Sequence, residues 1–120
     1  MHVRLTKTFR FEAAHRLPTF PEGHSCRRLH GHSYTVGVVV AGEVDEAAGY
    51  LIDYGDIKEA CEPIRRQLDH SYLNEIEGLE NPTSEMLARW IWERLQPQFP
   101  QLATVIVEET CTSRCEYSGR

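Results

Sequence analysis

The sequence predicts an α+β fold in which an antiparallel sheet packs against two helices. Segments with period-two alternation of apolar residues lie near both ends of the chain, and two amphipathic helical stripes lie between them. The resulting order, ββααββ, places runs of strands on either side of paired helices, which is typical of this class. The chain has 120 residues, 41% of them hydrophobic, enough for one ordinary core. We therefore expect one domain over residues 1–120.

Four strands account for the β part of this prediction. Residues 2–15 alternate as a long half-buried strand, and a Pro- and Gly-containing loop follows over 17–25. Residues 32–42 are rich in Val, Tyr and Thr and predict the second strand. Residues 103–110 and 114–118 predict the third and fourth. Such a four-stranded sheet has exposed edges, which favours self-association.

Two helices fill the middle of the chain. Asp53 is a suitable N-cap for the first, whose apolar stripe contains Pro63, a residue that should kink the helix or divide it in two. Asn81 and Pro82 are typical of a helix start and predict that the second helix begins there and stops before Pro97. The apolar stripes comprise Ile57, Cys61, Ile64 and Leu68 in the first helix, and Leu87, Trp90, Ile91 and Leu95 in the second.

Composition and charge exclude several functional classes. The net charge of −5 argues against a general nucleic-acid or membrane-surface binder, which needs a basic field. No apolar run approaches the roughly 18 residues of a membrane span, and the first residues lack the pattern of a signal peptide. We therefore expect a cytoplasmic protein with reduced thiols. Its cysteines are Cys26, Cys61, Cys111 and Cys115.

Three of the six histidines form a candidate metal site. His30 and His32 open the second strand and point to one face of it, while His15 closes the first strand. Antiparallel pairing of these strands would bring the three imidazoles together, which is the ligand set of a catalytic zinc site with one open position. Two other interpretations remain: scattered histidines without a metal, or a structural zinc site with Cys26 as the fourth ligand.

Cys26 and the pair Asp69-His70 are candidates for proton transfer. Cys26 lies beside Arg27 and Arg28, and neighbouring positive charge favours the thiolate that acts as a base or nucleophile. An acid beside a histidine tunes a general base. The alternatives are an inert loop thiol and, for His70, a favourable interaction with the end of a helix.

Glu109 is a candidate for ligand recognition. Val105, Val107 and Glu109 alternate on one strand face, where a carboxylate is costly unless it has a partner. A ligand with two parallel N–H donors, such as the 2-amino-4-oxo edge of a pterin or guanine, would satisfy it. Alternatively, the strand ends early and Glu109 is solvated. Cys111 and Cys115 suggest a redox or metal pair only weakly, because no second cysteine pair accompanies them.

Taken in order, these motifs resemble the 6-pyruvoyltetrahydropterin synthase superfamily. The resemblance runs over essentially the whole chain and is carried by 11–15 (FEAAH), by Cys26 separated by three residues from His30-Gly31-His32, and by 68–70 (LDH), 81–85 (NPTSE) and 109–110 (ET). The three-residue spacing is similar to that of the bacterial branch that forms 6-carboxy-5,6,7,8-tetrahydropterin for queuosine biosynthesis. The resemblance implies a tunnelling fold (T-fold) whose ββααββ units form a barrel in trimers or hexamers, with sites between subunits.

The resemblance also implies roles for individual residues. They are Zn²⁺ ligation by His15, His30 and His32, proton transfer by Cys26, Asp69 and His70, pterin anchoring by Glu109, and lining of the pterin pocket by Thr83 and Glu85. The implied substrate is 7,8-dihydroneopterin triphosphate. The implied products are 6-carboxy-5,6,7,8-tetrahydropterin, acetaldehyde and triphosphate.

The sequence leaves three alternative functions open. The same fold can make 6-pyruvoyltetrahydropterin from the same substrate, or bind a pterin or metal without catalysis, or serve as a small zinc-stabilised interaction domain. The triphosphate requires cations, and Arg16, Arg27 and Arg28 flank the metal motifs. No motif assigns these arginines to that role.

Overall fold

The computed structural model describes residues 1–110 and 112–120 and contains a five-stranded sheet with two helices on one face. In chain order the elements are β1 (His2–His15), β2 (His30–Glu43), α1 (Tyr54–Leu68), β3 (Ser71–Tyr72), α2 (Ser84–Leu95), β4 (Leu102–Glu109) and β5 (Ser113–Tyr117). The spatial order of the strands is β3-β1-β2-β4-β5. The α+β prediction is confirmed; the weakly suggested pairing of Cys111 with Cys115 involves residue 111, which lies outside the described residues.

The long β1–β2 hairpin sets the two faces of the sheet. Its antiparallel register runs from His2 opposite Glu43 to His15 opposite His30. Because side chains alternate along a strand, one face of the sheet carries the apolar core and meets both helices. Its buried members include Phe11, Val36, Val38, Val105 and Val107 from the strands and Ile57, Leu68, Leu87 and Ile91 from the helices.

Helix α1 runs without interruption through Pro63. Its predicted N-cap is confirmed, since the Asp53 carboxylate accepts a hydrogen bond of 2.7 Å from the Gly55 N–H. Of the two predicted effects of Pro63, division of the helix is wrong: Cys61 and Ile64, on either side of it, are both buried in the core, and packing of this stripe stabilises the helix despite the missing N–H. Burial also raises the pKa of Cys61 to about 11.

No helix in the described residues is long and apolar enough to cross a bilayer.

Helix α2 begins later than predicted. Its N-cap is Thr83, whose hydroxyl accepts a hydrogen bond of 3.2 Å from the Met86 N–H. The prediction of a start at Asn81 and Pro82 is therefore wrong. Pro82 is buried, and its carbonyl accepts a hydrogen bond from the His15 ring, which fixes Pro82 in the loop before the helix.

Strand β3 is an addition to the predicted four-stranded antiparallel sheet. It pairs in parallel with β1, with Ser71 opposite Ala13. His70 enters it with a φ of 57° and donates its backbone N–H to the Glu12 carbonyl. Two residues are too few to produce an alternation pattern, so the sequence carries no signal for this strand.

Candidate functional site

Three imidazoles converge at one end of the helix-covered sheet face. The hairpin register places His15 opposite His30, and His32 follows on the same face of β2. The Nε2 atoms of His15 and His30 are 3.0 Å apart, and one ligand atom from each of the three rings lies within 4.8 Å of the others. The predicted convergence of these histidines is therefore confirmed.

The Nδ1 atom of each ring is engaged by a protein oxygen. The contacts are His15 to the Pro82 carbonyl at 2.9 Å, His30 to the Arg28 carbonyl at 2.6 Å, and His32 to the Thr110 hydroxyl at 3.0 Å. A carbonyl only accepts, so the Nδ1 atoms of His15 and His30 carry a proton. In its neutral form, each of these two rings then keeps a lone pair on Nε2. Such contacts fix ring orientation and tautomer at metal sites.

His15 is the most deeply placed of the three rings. It is fully buried, and burial, together with the neighbouring His30 and His32, lowers its pKa to about 4. It is therefore neutral near pH 7, as a metal ligand must be. The buried Tyr34 hydroxyl also lies 3.1 Å from its Nδ1 atom. The sequence analysis missed Tyr34, although period two on β2 places it on the face of His30 and His32.

This donor set suits a divalent metal ion. Three imidazoles, with no further potential protein ligand grouped with them in the described residues, match zinc with an open coordination position. Among the described residues, the group of potential ligands contains no cysteine sulfur. The structure thus gives no support to the alternative in which Cys26 closes a four-ligand structural zinc site.

Glu109 lies beside the imidazoles at the end of β4. The β2–β4 register pairs it with Tyr34, and its carboxylate is 3.9 Å from the His32 Nε2 atom. About one-fifth of its side chain is exposed. Glu109 thus continues the face of Val105 and Val107 as predicted, and the alternative of a solvated residue beyond the strand is not supported.

The Asp69-His70 pair is intact within the chain. The Asp69 carboxylate lies 3.0 Å from His70 Nδ1 and accepts a second hydrogen bond from the Glu12 N–H. That N–H is the largest cause of the lowered pKa of Asp69, and His70 adds to it. The His70 side chain is 81% exposed and lines an open groove of about 550 Å³ together with His32 and Thr110.

Cys26 is not among the residues that line this groove. It lies in a 3₁₀ turn between β1 and β2, where it is partly buried. Its N–H donates to the His24 ring, and its carbonyl accepts from the Leu17 N–H. These backbone bonds fix the position of the turn next to the end of β1.

Thr83 and Glu85 lie at the start of α2. The Thr83 hydroxyl is occupied as the N-cap, and Glu85 is exposed in the first turn. Burial raises the pKa of the Cys115 thiol, and the charges of Glu85 and Glu109 raise it further.

Comparison with known proteins identifies the family of the chain. The model of the 6-pyruvoyl tetrahydropterin synthase family matches residues 4–120. The chain belongs to this family. It is 45% identical over 117 residues to the 6-carboxy-5,6,7,8-tetrahydropterin synthase of Synechocystis, covering 92% of this chain and 89% of the relative. The enzyme of the same name from Bacillus subtilis is 33% identical over 125 residues, covering 94% and 83%.

A solved relative confirms the fold. The structure of Caenorhabditis elegans 6-pyruvoyl tetrahydropterin synthase superposes with a TM-score of 0.91 at 27% identity, covering all of this chain and 97% of the nematode protein. The resemblance inferred from the sequence motifs, and the tunnelling fold of the single chain that it implied, are therefore confirmed.

Proposed function

We propose that this chain is a zinc-dependent carbon–carbon lyase acting on 7,8-dihydroneopterin triphosphate. The products are 6-carboxy-5,6,7,8-tetrahydropterin, acetaldehyde and triphosphate, and one water is consumed. This reaction would serve queuosine (7-deazaguanine) biosynthesis in the cytoplasm. The names of the Synechocystis and Bacillus subtilis relatives support this choice of reaction.

The juxtaposition of the imidazole group with Glu109 carries the proposal. His15, His30 and His32 would hold the zinc ion, which when bound acidifies hydroxyl groups and stabilises negative charge on oxygen. The Glu109 carboxylate, 3.9 Å from His32, would accept two parallel N–H donors from the pterin ring. A ring anchored there has its side chain directed toward the imidazoles, which supplies reactive geometry.

Proton transfer is assigned to Cys26 and to the Asp69-His70 pair. The Cys26 thiolate would remove a proton from the substrate side chain, and His70 would relay a second one. Asp69 holds His70 Nδ1 at 3.0 Å, which orients the ring and leaves Nε2 for the transfer. Thr83 and Glu85 would line the pterin pocket.

A single copy of the chain leaves this machinery open to solvent. The His70 side chain is 81% exposed, and Cys26 does not line the groove that holds His70 and His32. A proton relay works best where water is excluded. We therefore include in the proposal a homo-oligomer, a trimer or hexamer, in which neighbouring subunits complete each site.

The first alternative is formation of 6-pyruvoyltetrahydropterin from the same substrate, favoured by the likeness to the nematode enzyme. That reaction releases triphosphate but keeps every side-chain carbon. A second alternative is a non-catalytic pterin or metal binder of the same fold.

The deciding experiment is incubation of zinc-loaded protein with 7,8-dihydroneopterin triphosphate. Acetaldehyde is measured by a coupled reductase, and the pterin product by mass. Acetaldehyde with a carboxylated tetrahydropterin is expected. Triphosphate without acetaldehyde would assign the pyruvoyl reaction, and a bound substrate without turnover would indicate a binder.

Cys26→Ala is the matched variant for this assay. It should retain zinc and pterin binding but lose about 10²- to 10⁴-fold in turnover, the usual contribution of a general acid or base. Cys61→Ala, which alters a buried thiol in α1, is the control. Loss of zinc from Cys26→Ala would instead identify Cys26 as a metal ligand.

A further inference from the structure

The connection between β1 and β2 has little regular structure around Cys26. It contains Pro18, Pro21 and Gly23, and its helical part is the 3₁₀ turn Ser25–Arg27. Such a loop lacks the continuous ladder of backbone hydrogen bonds that holds a long helix or a strand in place. The position of the Cys26 thiol therefore depends on the individual contacts of the loop.

Arg27 makes side-chain contacts that cross this loop. One of its guanidinium nitrogens donates to the carbonyls of Pro18 and Phe20, at 2.8 and 2.9 Å. Bonds from a charged donor are stronger than those between neutral groups. Arg27 is partly buried, and in the described residues no carboxylate lies within ion-pairing distance of it. Its charge is thus directed at backbone oxygens of the loop.

The residues just before Pro18 are held at the end of β1. Leu17 is buried and donates its N–H to the Cys26 carbonyl at 2.9 Å. The Asn74 side chain binds both the N–H and the carbonyl of Arg16, at 2.9 and 2.7 Å. The guanidinium contacts therefore fix the turn with respect to the strand end that carries the first of the three imidazoles.

The next residue, Arg28, differs from Arg27 although both are arginines. Arg28 is exposed. Its hydrogen bonds within the described chain involve its backbone: the N–H donates to the Ser25 carbonyl, and the carbonyl accepts from the His30 ring. Two neighbouring residues of the same charge thus differ in whether the side chain crosses the loop.

We propose that Arg27 is a positioning residue that holds the Cys26 thiol in place for proton transfer. This inference rests on the proposed function, which assigns that step to Cys26. Arg27 acts through the turn rather than on the substrate, because its two bonds limit the conformations that the turn can adopt. Such restraint matters for rate, since a displacement of about 1 Å can cost about 10²-fold.

Alkylation of Cys26 by iodoacetamide tests this role without turnover. The rate is measured on the zinc-loaded full chain as a function of pH, and mass spectrometry of the peptide that contains Cys26 separates it from the other thiols. At high pH, where a thiol is fully ionised, the limiting rate reports access to the thiol rather than its charge state. Arg27→Met should raise this limiting rate about tenfold, because loss of the two bonds lets the turn open more often.

Arg28→Met is the matched control, because it removes the same charge but no contact across the loop. Its limiting rate should equal that of the unaltered chain, since a lost charge shifts only the pH midpoint of alkylation. Arg27→Lys, which keeps a charged donor, should restore part of the protection, and melting temperatures verify folding. An unchanged limiting rate in Arg27→Met, or an equal rise in Arg28→Met, would overturn the inference.

The outcomes separate this inference from the proposed function. Faster alkylation in Arg27→Met alone supports the positioning role even if no lyase activity is found, a result that would count against the proposed function only. In an active enzyme, Arg27→Met should lower kcat by up to about 10²-fold, with KM and zinc content little changed. A lower kcat without faster alkylation would assign Arg27 to contact with the substrate and contradict the inference.

Discussion

The two ends of the helix-covered sheet face share the same strands but differ in what lies over them. On β4, Val105 and Val107 are fully buried, and the next residue on that face, Glu109, stands beside His32. On β2, the sequence passes from Val36 through Tyr34 to His32. Along each strand, buried apolar side chains are thus followed by titratable side chains within two or three positions on the same face.

The covering groups explain this change. Over the valines, the helices contribute apolar side chains such as Leu87 and Ile91. Over the imidazoles, the contacts are oxygen atoms of Pro82 and Thr110. The close-packed apolar half holds the strands rigidly. It thereby fixes the positions of the imidazoles at the other end of the same strands. Mutations at the imidazole end should therefore reduce ligand binding, whereas mutations at the apolar end should reduce stability.

The largest expected effect is at the imidazole end. His30→Ala removes one of the three proposed ligands, so the variant should lose bound zinc and activity together while staying folded, because the apolar half is unaltered. Zinc content after dialysis, measured by mass spectrometry, is the readout. His2→Ala, an exposed residue at the other end of β1, should keep its zinc. Full zinc content in His30→Ala would refute the ligand assignment.

The next effect is at the apolar end. Ile91→Ala should lower the free energy of unfolding by about 2–5 kcal/mol, because it leaves a cavity beneath α2. Urea denaturation measures this loss, and the folded fraction should still bind zinc. Glu93→Ala, exposed on the same helix, should stay within about 0.5 kcal/mol of the unaltered chain. If Ile91→Ala abolished zinc binding in the folded state, the two ends would not be independent.

A smaller effect tests the boundary between the ends. Glu109→Gln should weaken binding of a pterin analogue about 10- to 100-fold, because charge-assisted hydrogen bonds to the ring are lost. Zinc binding should not change. Fluorescence titration with a non-reactive pterin measures the affinity. Glu108→Gln, which alters the neighbouring side chain on the opposite sheet face, is the control. Equal affinity in both variants would exclude Glu109 as the ring anchor.

The smallest effect is at the start of α2. Thr83→Ala should cost about 1 kcal/mol of unfolding free energy through loss of the N-cap, whereas Thr83→Ser should cost much less. A variant with unchanged stability but weakened pterin binding would show that Thr83 serves the pocket rather than the helix.

Local sequence patterns were sufficient to predict the three imidazoles. A hairpin with period-two alternation brings His15, His30 and His32 together whatever the rest of the chain does. The same reasoning placed Glu109 on the face of Val105 and Val107. These predictions needed only the strand period and the pairing of consecutive strands.

The features that the sequence did not predict depend on distant contacts. The hydrogen bond from His15 to Pro82 spans 67 residues, and the one from His32 to Thr110 spans 78. The first of these holds Pro82 in the loop before α2, whose N-cap is Thr83 rather than Asn81. Strand β3 likewise depends on docking of His70 onto Glu12, a contact without a local pattern.

The separation between the ligands and the oxygens that orient them has a consequence for folding. The hairpin that carries all three imidazoles needs to close only a short loop, whereas the partners of His15 and His32 arrive through much longer loops, whose closure costs more entropy and is slower. In a chain emerging during synthesis we therefore expect the three imidazoles to come together before His15 and His32 meet the oxygens that orient them. If the imidazoles bind zinc as proposed, full affinity for the ion would require completed folding.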